Sequence, residues 1–486
     1  MKKRLFILVT SLVLLLGSFP TYIHLHSSTW NLQKFQAQKL TWSTCFSNLE
    51  CSTLTVPMDY NHIDDQVFHL QVLRHRATAS TGYLGAIVVN PGGPGGSGVD
   101  YAYDAENIVS KAIYSHFDIV GFDPRGVNSS EPLRCLTDKE EDDYIANNGR
   151  ALTQKEITET VTAAKMFAAT CATKAGVRLG HYSTLETAKD MEILRIALGQ
   201  PKLNYLGKSY GTFLGTLYAA LYPKSMGRFV LDGAIDPNAS VRDSNLIQAV
   251  GFDQDLSDFL KQEKNLTLAQ ISTLIDFSAT NQLQTPTHRI ATPALVATGI
   301  ASALYDPTSG WPQLSMALAQ AIQEKNPTKL LELADEYDGR DTSGHYVDNQ
   351  SDISQVINCL DSSDTRSLSA ITADEANFAA AAPIFGPFLT YAGLTCHFWR
   401  AHPVLSPVPL HSLATPPLLV IGVTRDPATP YAWAINLHKE LLNSTLLTFD
   451  GDGHTGHNRG SSCIDGVVDH YFLTGQAPKK SLVCTA

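Results

Sequence analysis

The pentapeptide Gly207-Lys208-Ser209-Tyr210-Gly211 constrains this chain more than any other feature, because of what flanks it. The apolar run 203–206 before it reads as a buried strand, and residues 212–222 after it read as a helix. A strand that turns into a helix this abruptly needs glycines where the two elements nearly touch. The turn also holds its middle residue strained and exposed at the strand's C-terminal end. A serine held there is a nucleophile that a base can reach.

Other strand-like segments surround this one, at 54–58, 67–74, 86–90, 119–122, 229–231, 418–423 and 446–449. Most are short continuous apolar runs, as in strands buried on both faces. Helical patterns at 155–175 and 185–198 separate them, which indicates a mostly parallel sheet. Between Asp236 and about Ser406 the strand pattern gives way to helical stretches such as 315–324 and 328–337. A proline-rich segment with Pro403, Pro407, Pro409, Pro416 and Pro417 then leads back to the sheet.

A serine nucleophile in this setting requires an acid and a base later in the chain, each after a strand. Asp426 follows the run 418–423, and His454 follows the run 446–449 on a glycine-rich loop. The 28 positions from Asp426 to His454 hold one helix and one strand, whereas the 217 from Ser209 to Asp426 are too many for the core alone and hold the insertion. His457 is the alternative base and Asp232, at the end of the run 229–231, the alternative acid. Asp450 and Asp452 read as loop formers. The stretch Asn90-Pro91-Gly92-Gly93-Pro94-Gly95-Gly96-Ser97-Gly98 leaves another strand. Its glycines remove side chains that would block backbone N–H groups from a developing oxyanion, and Gly93 and Tyr210 are the expected donors. It lacks the terminal Gly-Lys-Ser/Thr of a phosphate-binding loop.

A charge of −11, from 47 acidic and 36 basic residues without a basic cluster past position 4, speaks against a nucleic-acid partner. Met1-Lys2-Lys3-Arg4 followed by the apolar run 5–16 reads as an export signal within residues 1–28, with an uncleaved N-terminal anchor as the alternative and no other stable membrane partner. The protein is therefore expected to be secreted, periplasmic or extracellular. Eight cysteines in such a chain suggest disulfides, and their order suggests local pairs: Cys45 with Cys51, Cys135 with Cys171, Cys359 with Cys396, and Cys463 with Cys484. None has zinc-site spacing, so neither a metal nor another cofactor is expected.

Five motifs in this order resemble the tripeptidyl and prolyl aminopeptidase-like exopeptidases of the α/β-hydrolase superfamily, in the branch with a distinctive C-terminal region. They are Asn90-Pro91-Gly92-Gly93-Pro94-Gly95, Phe122-Asp123-Pro124-Arg125-Gly126, Gly207-Lys208-Ser209-Tyr210-Gly211, Asp426-Pro427-Ala428-Thr429-Pro430 and Gly453-His454. Pro91 stands where the prolyl enzymes have a histidine, which fits the tripeptidyl branch. The resemblance implies the α/β-hydrolase fold, here a mostly parallel eight-stranded sheet with a large helical cap inserted before the last two strands. The core is expected over 40–236 and 406–486, and the cap over 237–405. The implied activity is hydrolysis of peptides from a free N-terminus, with Ser209, Asp426 and His454 as the triad. Recognition of an ammonium calls for carboxylates in the cap, and Asp361 and Asp364 are the candidates. A carboxylesterase or lipase with the same triad is the alternative enzyme, and a non-catalytic binding protein the alternative class.

Overall fold

A computed structural model describes residues 31–46, 48–147, 149–280, 282–362, 364–401, 410 and 414–485. The expected signal or anchor within 1–28, and Pro403, Pro407 and Pro409, lie outside the described residues. Ten strands form one sheet: β1 (Ser43–Cys45), β2 (Leu49–Pro57), β3 (Val67–His75), β4 (Gly85–Asn90), β5 (Phe117–Phe122), β6 (Leu203–Lys208), β7 (Met226–Asp232), β8 (Leu418–Arg425), β9 (Ser444–Asp452) and β10 (Leu482–Thr485). Their order is β1-β2-β3-β5-β4-β6-β7-β8-β9-β10. Pairings from β1 through β3 to β5 are antiparallel, and all those from β5 across to β10 are parallel.

Every residue of β4 and β5 is buried. Alternate side chains serve opposite faces: Val88, Val120, Phe229 and Val420 join one apolar cluster, and Ile87, Ile119, Val230 and Ile421 another. A strand covered on both faces has no side to give to water, which is why these segments read as unbroken apolar runs. The sheet thus has ten strands rather than the expected eight. The two beyond expectation, β1 and β10, are edge strands of only three and four mostly exposed residues. Each is held by a disulfide, Cys45–Cys51 and Cys463–Cys484. Because β10 exists, the long insertion precedes the last three strands, not the last two. The other two disulfides, Cys135–Cys171 and Cys359–Cys396, complete the expected local pairing, which suits an oxidising compartment.

Between β7 and β8 the described residues carry nine helices, from Val241–Gln262 to Leu394–His397. Most pack on a core of their own that includes Phe252, Leu256, Ile300 and Leu314. The helix Gln350–Asp361 differs, because Ile353, Val356 and Leu360 enter the core cluster under the sheet. Asn349 beside it bonds the carbonyls of Gly126 and Leu133 at 2.8 and 2.9 Å, and Asp352 accepts the N–H of Cys135 at 2.7 Å. From the other side, helices Asp138–Ile145 and Gln154–Ala175 each start on a capping box, Thr137 with Glu140 and Thr153 with Glu156. Asp142 on the first of them pairs with Arg340 of the insertion at 2.6 Å. No described helix is long and apolar enough to cross a membrane.

Several buried carboxyls give this fold a pH dependence. Burial pushes Glu141 and Asp255 up to about 8 and Asp361 up to about 7, from 4.5 for the glutamate and 3.8 for the aspartates. The folded state therefore holds protons that the unfolded chain releases. That stability is complete below the unfolded values near pH 4 and is lost as pH rises through 7 to 8. His457, pushed down to about 4 by burial, acts in the opposite sense only below its ordinary 6.5, with one proton against several. We expect the thermal midpoint to be roughly 3–8 °C lower at pH 8 than at pH 5. A calorimetric series between those pH values that is flat or rising would overturn this.

Candidate active site

Ser209 sits between β6 and the helix Tyr210–Leu221 at φ 54°, ψ −125°, a region costly for any residue other than glycine. Close packing enforces the turn. A Cβ on Gly207 would lie 2.5 Å from the Tyr205 ring and one on Gly211 2.8 Å from Asn90 Oδ1, so neither position admits a side chain. The Ser209 N–H donates to the carbonyl of Asp232 at 2.8 Å, which fixes the elbow to the end of β7.

The glycine-rich loop after β4 lies directly against the elbow. Gly92 has φ 105°, and a Cβ there would stand 2.8 Å from that of Ser209. Its N–H is held by Asn90 Oδ1 at 3.1 Å. Tyr210 opens its helix, so its N–H has no intrahelical acceptor. Among the described residues no acceptor takes the Gly93 N–H either, and both residues border one cavity. The Asp123 motif supports this loop from behind, accepting Ser97 Oγ at 2.6 Å and the Val99 N–H at 3.1 Å. Arg125 of the same motif is fully buried and spans Asp190 at 2.6 and 2.8 Å.

Asp426 and His454 come together at the ends of β8 and β9. The imidazole Nδ1 lies 2.9 and 3.0 Å from the two carboxylate oxygens. Asp426 also accepts the N–H groups of Ala428 (2.9 Å), Thr429 (2.8 Å) and Thr455 (3.3 Å), and the Thr429 hydroxyl at 2.9 Å. An ionised carboxylate only accepts, so Nδ1 carries the proton and Nε2 keeps its lone pair. Nε2 is buried and bonds no protein group, so Ser209 Oγ is not yet hydrogen-bonded to it, as is common before substrate tightens a site. Gly233, φ 70°, makes room for the ring: a Cβ there would lie 3.2 Å from His454 Cε1. The insertion touches His454 as well, since the histidine N–H donates to Tyr305 O at 2.9 Å and the two rings meet edge to face at 5.1 Å.

The alternatives weighed from sequence fall elsewhere. Asp232 accepts the N–H groups of Gly456 and His457 at 2.7 and 3.0 Å and touches no imidazole. His457 is 1% exposed and held neutral. Asp450 and Asp452 are not loop formers. β9 runs through both, and each pairs with Arg425. Sequence reasoning missed Thr429, although an Asp-x-x-Thr spacing signals a side chain reaching back to its own turn. It also missed Gly233, which carries no local signal because its neighbour in space comes from 221 positions away.

A cavity of about 540 Å³ opens beside Gly93 and Tyr210, reached by Phe213, Ile235, Val241 and Trp433. Asp236 and Asp361 are among its walls, with the amides of Asn245, Gln248, Gln355 and Asn358, and among the described residues no Lys, Arg or His lines it. Ser209 and His454 are not themselves among the lining residues. Asp361 accepts the Thr184 N–H at 2.9 Å and the Thr184 hydroxyl, which also meets the Tyr210 phenol. Asp364 is placed differently: it does not line the cavity, and Arg366 takes its carboxylate, holding it below the usual range. Among the described residues Asp59, His181 and Glu186 could gather round a cation, but Lys189 pairs with Glu186 at 2.9 Å and Arg125 lies beside it.

Residues 85–458 match the family described as alpha/beta hydrolase fold. The chain is 34% identical to serine protease Hip1 of Mycobacterium tuberculosis, over 92% of this chain and 91% of that one. It is also 34% identical to carboxylesterase B of the same organism, over 92% and 90% of the two chains. Tripeptidyl aminopeptidase of Streptomyces lividans is 28% identical, over 95% of this chain and 91% of that one. A strained serine elbow, a parallel sheet and similarity along nearly the whole length therefore lead to one conclusion: the chain belongs to the α/β-hydrolase family and is a serine hydrolase.

Proposed function

We propose that the protein is an exported exopeptidase that cleaves peptides near a free N-terminus through an acyl-enzyme. Ser209 attacks the scissile carbonyl and His454 Nε2 takes its proton, while Asp426 holds the imidazole in the required tautomer and stabilises its charged form. The N–H groups of Gly93 and Tyr210 receive the oxyanion. His454 then returns the proton to the leaving amine, and water releases the acyl group by the same route. Residues 237–405 serve as the cap over the site. The names of two relatives, serine protease and tripeptidyl aminopeptidase, support the peptidase reading, and four disulfides support export.

The observation that carries the free-N-terminus reading is the cavity wall: among the described residues it holds two carboxylates and no cation, and Asp361 is linked through the Thr184 hydroxyl to the residue that follows Ser209. A substrate ammonium there would draw Asp361, raised to about 7 by burial, into its ionised form. The test is Asp361→Asn, assayed on one peptide amide with a free and with an acetylated N-terminus. A charge-assisted contact of about 1.5–3 kcal/mol predicts a roughly 10- to 150-fold loss of kcat/KM for the free peptide and little change for the acetylated one. Equal loss on both, or wild-type cleavage of the acetylated peptide as fast as the free one, would remove the ammonium role. The relative named carboxylesterase B favours a second reading, that of an esterase, which turnover of a simple acyl ester alone would establish.

A further inference from the structure

Lys208, the variable residue of the elbow motif, is an ammonium almost wholly enclosed beside a nucleophile that has no evident use for it. Its side chain is 12% exposed and that of Asp232, 3.4 Å away, is not exposed at all. Its three protons have three acceptors: the His457 carbonyl at 2.7 Å, the Thr455 hydroxyl at 3.3 Å and Asp232. Asp232 in turn takes the N–H groups of Gly456 and His457 with its carboxylate, and the N–H of Ser209 with its backbone carbonyl. One residue pair therefore grips the chain just after His454 and the nucleophile's own backbone.

We propose that Lys208 and Asp232 are positioning residues that hold the His454 loop in register with Ser209, an inference that rests on the triad reading above. The ends of the loop have their own anchors, the His454 N–H on Tyr305 O and Asn458 on Asp465 and Asn107, but among the described residues its middle is held by this pair. The Thr455 N–H reaches Asp426, but Gly456 and His457 bond the core through this pair. Loss of the ammonium frees the Thr455 hydroxyl and the His457 carbonyl together, and the loop can then carry the imidazole away from Ser209 Oγ. Burying an ion pair adds little net stability over an apolar pair of equal size, so geometry is the better reason for its presence. The neighbouring charges are engaged elsewhere: Arg459 with Asp306 at 3.2 Å, and Asp465 with the Asn458 N–H at 2.7 Å. His457, held neutral, adds no charge.

The experiment compares Lys208→Met and Asp232→Asn with wild type, using the whole disulfide-bonded enzyme on a free-N-terminus peptide amide and an acyl ester. Alongside kcat and KM, the far-downfield proton resonance of the His454–Asp426 hydrogen bond is recorded. The clamp predicts kcat down roughly 10- to 100-fold with KM within about twofold, and a shifted or lost resonance. A folded Lys208→Met variant with wild-type kcat, or with reduced kcat and an unmoved resonance, overturns it. Lys208→Gln, which keeps a donor without the charge, carries the same comparison if the methionine variant does not fold. Ser209→Ala separates the two readings. If it stays active, the triad assignment falls and the clamp with it; if it is inactive while Lys208→Met turns over normally, the clamp alone falls.

Discussion

Ser209→Ala is expected to lower kcat on a peptide amide by roughly 10⁵- to 10⁶-fold while leaving the fold intact. The size follows from the chemistry: without the hydroxyl no acyl-enzyme forms, and only oriented binding and the oxyanion donors still assist water. The effect should lie almost wholly in kcat, because the cavity walls do not include Ser209. Stability should barely change. The backbone strain at φ 54° is imposed by the contacts of Gly207, Gly211 and Gly92, and alanine bears it much as serine does. The check is steady-state turnover with mass spectrometry of enzyme treated with a fluorophosphonate. Wild type should gain one adduct on the peptide containing Ser209, and the variant none. Activity above about 1% of wild type, or an adduct on another residue, would place the nucleophile elsewhere.

Asp426→Asn is expected to cost roughly 10⁴-fold in kcat, because an amide cannot satisfy what converges on this carboxylate. Three backbone N–H groups, the Thr429 hydroxyl and the imidazole all donate to its two oxygens. An asparagine presents one oxygen and one NH₂. If the oxygen faces the Ala428 and Thr429 N–H groups, the NH₂ faces His454 Nδ1, which must then accept. The proton moves to Nε2, and the atom needed as base becomes a donor. If the amide flips, its NH₂ meets those backbone donors in a site 2% exposed, and the turn is destabilised. Either way kcat falls, with KM within about threefold of wild type. A variant within tenfold of wild type on the peptide amide would show that another group orients the base.

The chemistry-bearing residues were legible because each sits at a local signal. The elbow has a strand on one side and a helix on the other, Asp426 and His454 each follow an apolar run, and the central strands are unbroken apolar runs because helices cover both their faces. The disulfides were legible for a related reason, since their partners are at most 37 positions apart. The edge strands β1 and β10 were not, because three or four mostly exposed residues are too few to show a strand period. Asp450 and Asp452 looked like turn formers in isolation, yet pairing of β9 with β8 carries the strand through them and sets both against Arg425. Asp361 and Asp364 are three positions apart and equivalent on paper. In space, one faces the cavity and the other is taken by Arg366.

The same division holds at the site. By itself the sequence determined the class of fold and singled out Ser209, Asp426, His454 and the glycine loop as candidates, since periodicity and turn chemistry depend on neighbours a few residues away. Only the tertiary structure decided that Thr429 and Gly233 frame the imidazole, that Asp232 ties down a loop rather than orienting a base, and that Lys208 reaches Thr455 and His457 from 247 and 249 positions away. Those contacts form because a parallel sheet gathers the C-terminal ends of distant strands at one edge, and no local pattern records which ends become neighbours.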